Sequence, residues 1–120
     1  MSQQSYKDAE FWTPEISFLG EQDGPPEREL KNVLSNLFKT SGEVQLAYLA
    51  RVTYDKQEEN VALCLKTSPD VQEQKVMTRI AEIFSGMFNR NEQLDIVFLT
   101  EKNQKQIAEV CPPFFVLNLT

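Results

Sequence analysis

The chain is 120 residues long, 41% hydrophobic and 25% charged, with a formal net charge of −6. That length fits one globular domain. The acidic balance argues against nucleic acid and against an anionic membrane surface, because both are met with basic residues.

The start, MSQQSYKDAE, lacks the apolar stretch of a secretory signal, and no apolar run approaches a membrane span. Two cysteines make no disulfide framework, so a soluble cytoplasmic domain is expected. Residues 1–14 read as a flexible tail ahead of a single domain at 15–120. The aromatic pair Phe11-Trp12 in that tail offers a docking point for a partner, or else two rings that fold back over the domain.

Ile16–Leu19 reads as a short strand, and Asp23-Gly24-Pro25-Pro26 as strong turn punctuation. A first helix follows from about Pro26 to Lys39, with Leu30, Val33, Leu34, Leu37 and Phe38 on one stripe and Gly42 as the stop. Val44–Val52 then alternates like a strand. One face carries Val44, Leu46, Tyr48, Ala50 and Val52, and the other Gln45, Ala47, Leu49, Arg51 and Thr53. The polar link Asp55–Asn60 joins it to Val61–Lys66, which predicts an antiparallel hairpin. The acids of that tip do not match a calcium loop, which needs a glycine at the sixth position and a late glutamate.

Ser68-Pro69-Asp70 has the form of a helix start, and the helix should reach about Asn89. Its buried stripe is Val76, Ile80, Ile83, Phe84 and Met87, widened by Met77, Ala81 and Phe88. Leu94–Leu99 is a short apolar strand containing Asp95, an acid expected to face outward or sit at an edge. Thr100 caps a third helix from Glu101 to Val110, and Cys111 before Pro112 ends it.

This order predicts an α+β fold: a mixed, mainly antiparallel sheet, two long helices packed on one face, and a short third helix near the C-terminus. A right-handed crossover sets Leu94–Leu99 parallel to Val61–Lys66 and places it beside Val44–Val52. The helices are expected on the Tyr48 side. The opposite face then gathers Ala47, Leu49, Ala62, Cys64, Val97 and Leu99.

Catalytic apparatus is not visible. The chain has no histidine, which removes the commonest general base and metal ligand, and its four glycines form no phosphate-cradling loop. Two cysteines in separate elements make no zinc site, and the carboxylates form no strand-end dyad. Cys64 reads as an inert small hydrophobe, and Cys111 as an exposed thiol without a basic neighbour. No catalytic residue, metal or cofactor is expected.

The segment E-V-Q-L-A-Y-L-A-R-V (Glu43–Val52) and the closing C-P-P-F-F (Cys111–Phe115) resemble the C-terminal domain of the bacterial enhanced-serine-sensitivity (SseB) protein family. Val44, Ala47, Tyr48 and Leu49 match its V-x-x-A-Y-L segment. Pro112, Pro113 and Phe114 match its closing motif, with Phe115 where tyrosine is usual. The likeness spans about Ile16 to Phe115. It implies a stand-alone copy of a domain that longer members carry behind another, with a role tied to serine tolerance and no assigned reaction.

The resulting expectation is a non-catalytic cytoplasmic domain acting through protein–protein contacts, with a protein partner or self-association. Its interface would be Ala47, Leu49, Ala62, Cys64, Leu99, Pro112, Pro113 and Phe114, unless Phe11-Trp12 or Phe114–Leu117 covers that face. The alternative is an immunity protein that neutralises a basic secreted toxin through Asp55, Glu58 and Glu59.

Overall fold

A computed structural model describes residues 15–88 and 92–117. The tail with Phe11 and Trp12, and the expected helix end at Asn89, lie outside the described residues. The elements in chain order are β1 (Ile16–Glu21), α1 (Pro25–Ser41), β2 (Val44–Tyr54) and β3 (Glu59–Thr67). These are followed by α2 (Glu73–Met87), β4 (Asp95–Phe98), α3 (Glu101–Ala108) and β5 (Phe115–Val116).

The fold is α+β, with a mixed sheet in the order β1-β2-β3-β4 and β5 also paired to β2. The β1–β2, β2–β3 and β2–β5 pairings are antiparallel, and β3–β4 is parallel. β4 therefore runs as expected relative to β3 but lies beside β3, not beside β2. The reason is occupancy. β3 bonds to β2 from Val44 to Thr53, so β1 (on Ala50–Tyr54) and β5 (on Leu46–Ala47) fill the other edge of β2 between them.

The helices form for the reasons their sequences suggest. Proline opens the first turn of α1, Glu27 complements the positive end of its dipole, and Gly42 closes it in the left-handed region at φ 68°, its N–H donating to the Phe38 carbonyl. Leu30, Leu34 and Phe38 are buried, Leu37 is half-buried, and Val33 is exposed at the margin of the stripe. In α3, the Thr100 hydroxyl accepts the Asn103 N–H at 3.1 Å, as a cap should.

The start of α2 differs from the expectation. Ser68-Pro69-Asp70 is a turn, closed by the Val71 N–H on the Ser68 carbonyl, and the helix begins at Glu73. The Ser68 carbonyl takes the Val71 N–H in a tight turn and Val71 packs into the helix-side core, so the chain turns inward at Val71 before the helix starts. Val76 and Ile80 are buried and Phe84 stacks on Phe88, whereas Met77 and Ala81 are exposed.

The faces of β2 are the main correction. Between Val44 and Leu46 the pairing advances two residues on β2 but one on β3, a β-bulge. The extra residue flips the alternation, so Val44 lies with Ala47 and Leu49 in one layer while Leu46, Tyr48, Ala50 and Val52 lie in the other. The two long helices cover the Ala47–Leu49 side, with rows running Ala47–Leu65–Phe98 and Leu49–Leu63–Ile96 across the sheet. Tyr48–Cys64–Val97 and Ala50–Ala62–Asp95 form the second layer, which α3 covers through Ile107.

Leu49 is thus 1% exposed beneath α1 and α2. Its replacement by alanine should cost about 2–5 kcal/mol, read as a lowered denaturation midpoint. Leu49→Arg, harmless in an exposed patch, should abolish the folded circular-dichroism spectrum.

Candidate functional site

The two segments that carry the family resemblance meet at one place, the edge of β2. After α3, the Cys111 N–H closes on the Ile107 carbonyl, and the chain turns along that edge. The Phe114 N–H donates to the Ala47 carbonyl at 2.8 Å, and the Leu117 N–H to the Gln45 carbonyl at 2.8 Å. Leu46 pairs with Val116, and Ala47 with Phe115. The Leu49 carbonyl accepts the Gln22 N–H at 2.9 Å, and the Cys111 thiol lies 3.7 Å away. The V-x-x-A-Y-L strand thus supplies carbonyls that the C-P-P-F-F segment binds.

An ion cluster braces the neighbouring exit of β1. The Lys31 ammonium, on a buried side chain, lies 2.7 Å from Glu21 Oε2 and 3.1 Å from Asp23 Oδ1, and Arg28 reaches Asp23 at 3.2 Å. Burial opposes the Lys31 charge, but the hydrogen bonds to Glu21 and Asp23 outweigh it and raise the ammonium's pKa. Hydrogen bonds from Lys31 and then Arg28 hold the Asp23 carboxyl below its ordinary value.

The expected interface does not form one surface. Ala47 and Leu49 are buried in the helix-side layer, while Ala62 and Cys64 are buried in the second layer and half-buried Leu99 packs beside them. Pro112 and Pro113 are exposed at the sheet edge, and Phe114 is half-buried against the helix-side core. The expectation missed Val110 and Val116, which are 43% and 59% exposed and flank the two prolines. No period marks them, since β5 is a two-residue strand behind a Pro-Pro pair.

Asp55, Glu58 and Glu59 are all exposed at the hairpin tip. Asp55 and Lys56 have φ of 52° and 59°, as a two-residue turn matched to the strand twist requires. Asp55 Oδ1 accepts the Glu15 N–H at 2.8 Å, and Glu59 lies 3.9 Å from Arg51. Asp95 sits on the edge strand but is turned into the second layer, where it accepts the Tyr54 hydroxyl at 2.8 Å.

The reactive side chains of the second layer are held in their protonated forms. Burial pushes the Cys64 thiol up to about 12 and the Cys111 thiol up to about 11. Cys111 is 2% exposed, not the surface thiol its sequence context suggested. Burial also raises Tyr48, against a hydrogen bond from Gln104, and raises Tyr54 together with its bond to Asp95. Among the described residues no three His, Cys, Asp or Glu side chains are grouped to hold a metal ion. A recess of about 50 Å³ lies between Leu30, Leu49, Val61, Phe84, Phe88 and Leu94. That falls well short of the several hundred Å³ of a small-molecule site.

The chain matches the family model of the SseB protein C-terminal domain over residues 18–116. It belongs to that family. No curated protein and no solved structure matches it. In this SseB-type domain the family's two motifs are thus a strand and the segment bound to its edge. No described helix is long and apolar enough to cross a membrane.

The thiols make a pH prediction. Below their ordinary value of 9.0 both are protonated in either state, so stability is at its plateau. Above it the unfolded chain loses protons that the folded chain keeps, so stability should fall as pH rises towards about 11 for Cys111 and about 12 for Cys64. Denaturation midpoints measured across pH 8–11 should show this decline, and replacing both cysteines with alanine should remove the part between pH 8 and 10, leaving above pH 10 the part due to the raised Tyr48 and Tyr54 phenols.

Proposed function

We propose that this domain is a non-catalytic, cytoplasmic protein-binding module, and that it binds through the strip at the sheet edge formed by Val110, Pro112, Pro113 and Val116. The observation that carries the reading is the exposure of these four apolar residues around the family's closing motif. A polar surface can leave single apolar side chains wet at little cost, but four within seven residues of chain are more than such scatter. The segment Val110–Leu117 also carries no charge, in a chain whose net charge is −6.

Two further features support a binding role over a catalytic one. The thiols and phenols with nucleophilic potential are shifted away from ionisation, the opposite of what an activated nucleophile needs. The recess beside Leu49 is also too small to seat a substrate, and the larger depression of about 680 Å³ along Gln72–Arg79 at the start of α2 is a shallow, open stretch of surface lined by polar side chains.

The alternative, an immunity protein binding a basic toxin through the hairpin tip, has weaker support. Of the three tip acids, Asp55 is bonded to the Glu15 backbone and Glu59 lies near Arg51, which leaves fewer uncommitted charges there.

Val116 is more than half exposed, so Val116→Arg should fold with an unchanged denaturation midpoint. Used as bait in cell extract, the native chain should retain a protein that the Val116→Arg chain fails to retain. Identical recovery on both baits would count against the strip. Loss of that protein in moderate salt, with the Val116→Arg bait still binding it, would favour the acidic tip.

A further inference from the structure

We propose that the C-terminal arm, Cys111–Leu117, exchanges between two copies of this chain, so that the strip's partner is a second molecule of the same protein. This inference rests on the protein-binding reading above and names the partner.

The arm is built as a detachable piece. It leaves the second layer at Cys111, passes the sheet edge at Pro112-Pro113, and sets Phe114 and Phe115 into the helix-side layer. Phe115 meets Phe38 of α1 edge-on at 5.6 Å, and the backbone bonds go to the Ala47 and Gln45 carbonyls of β2. These partners belong to α1 and β2, whereas the arm is tethered to α3. A second copy offers the same slot and the same carbonyls, so the bonds and ring packing that the arm gives up on release form again on exchange.

Opening costs no backbone donor bond at the hinge. Proline has no N–H, so Pro112 and Pro113 have no donor bond to break, and consecutive prolines prefer an extended path. Exchange as such gains nothing, since its bonds are the same before and after. The gain comes from the hinge region. Two exchanged arms run past each other there, bringing Val110, Pro112 and Pro113 of each copy against those of the other. These side chains are wet in the single chain. The uncharged segment Val110–Leu117 is also where two chains of net charge −6 can approach with least repulsion.

The register supplies the test. Leu46 and Val116 are pairing partners, so Leu46→Cys on one chain and Val116→Cys on another come together only when the arm of the second lies on the β2 of the first. The two full-length variants are unfolded together, refolded at high concentration and oxidised, and the mixed disulfide dimer is read on a non-reducing gel. A control pairs Val116→Cys with Lys39→Cys, on the exposed side of α1. The Leu46 pair should cross-link at least about tenfold faster than the control, because exchange holds its thiols together while the control relies on collision. Equal yields, or no mixed dimer, would overturn the exchange.

The unmodified chain provides a measurement independent of any variant. Refolded at high concentration it should show a dimer by light scattering, and the dimer share should rise with salt as the acidic repulsion is screened. A single chain carrying both Leu46→Cys and Val116→Cys, oxidised while dilute, should stay monomeric because its own arm is pinned. An unmodified chain that stays monomeric yet still captures another protein through Val116 overturns the exchange and leaves the protein-binding reading standing. A monomeric chain with no such capture overturns both.

Discussion

The backbone ladder of β2 is the constraint on which the rest of this domain depends. β3 bonds along one edge, while β1 and β5 divide the other, and helices cover both faces. A strand bonded on both edges leaves few backbone groups to solvate, so it can be apolar on both sides. Ala47, Tyr48, Leu49 and Ala50 are all nearly or fully buried, a continuous run that an edge strand could not sustain, and Val52 is buried beyond half-exposed Arg51. The sequence departs from simple alternation here for that reason.

Around this ladder the second layer is the less common part of the design. Two thiols, two phenols and a carboxylate share one layer with a helix of eight residues, and both thiols, Tyr54 and Asp95 each have a hydrogen-bond acceptor or donor. Such groups are tolerated because they remain neutral or paired, and their cost would return if they ionised. The layer is a packed interior with polar trim. The Lys31 cluster has a comparable role at its border, joining the exit of β1 to the first turns of α1 through an ammonium that burial alone would discourage.

Much of the fold is legible in the sequence because local signals and tertiary packing agree. The stripe of Leu30, Leu34 and Phe38, the hairpin around Asp55-Lys56, and the Thr100 cap each need a few residues and one rule. Periodicity misleads where a single residue changes parity. The bulge at Val44–Leu46 leaves no mark in an alternating sequence, so simple alternation puts Leu49 on the wrong side. Ser68-Pro69-Asp70 has good capping chemistry, but Val71 is drawn into the helix-side core first and the helix starts after it. The placement of β4 depends on which edge of β2 is free, a long-range fact that no local pattern holds. The site is half legible: the motif residues point to Pro112, Pro113 and Phe114, whereas the exposure of Val110 and Val116 arises only when β5 pairs.

The positions at which the described chain enters and leaves the sheet have a bearing on fusions. Glu15 is tied to Asp55 in both directions at the hairpin end of β2, and β5 pairs at the other end, with Leu46. From Tyr54 to Leu46 an extended strand covers about 26 Å, so the two points are separated by most of the sheet's length. A polypeptide joined ahead of residue 15 would emerge beside the acidic turn, and one joined behind residue 117 beside the uncharged strip. The described chain thus enters at one end of β2 and leaves at the other, so its two ends bear on opposite ends of that strand.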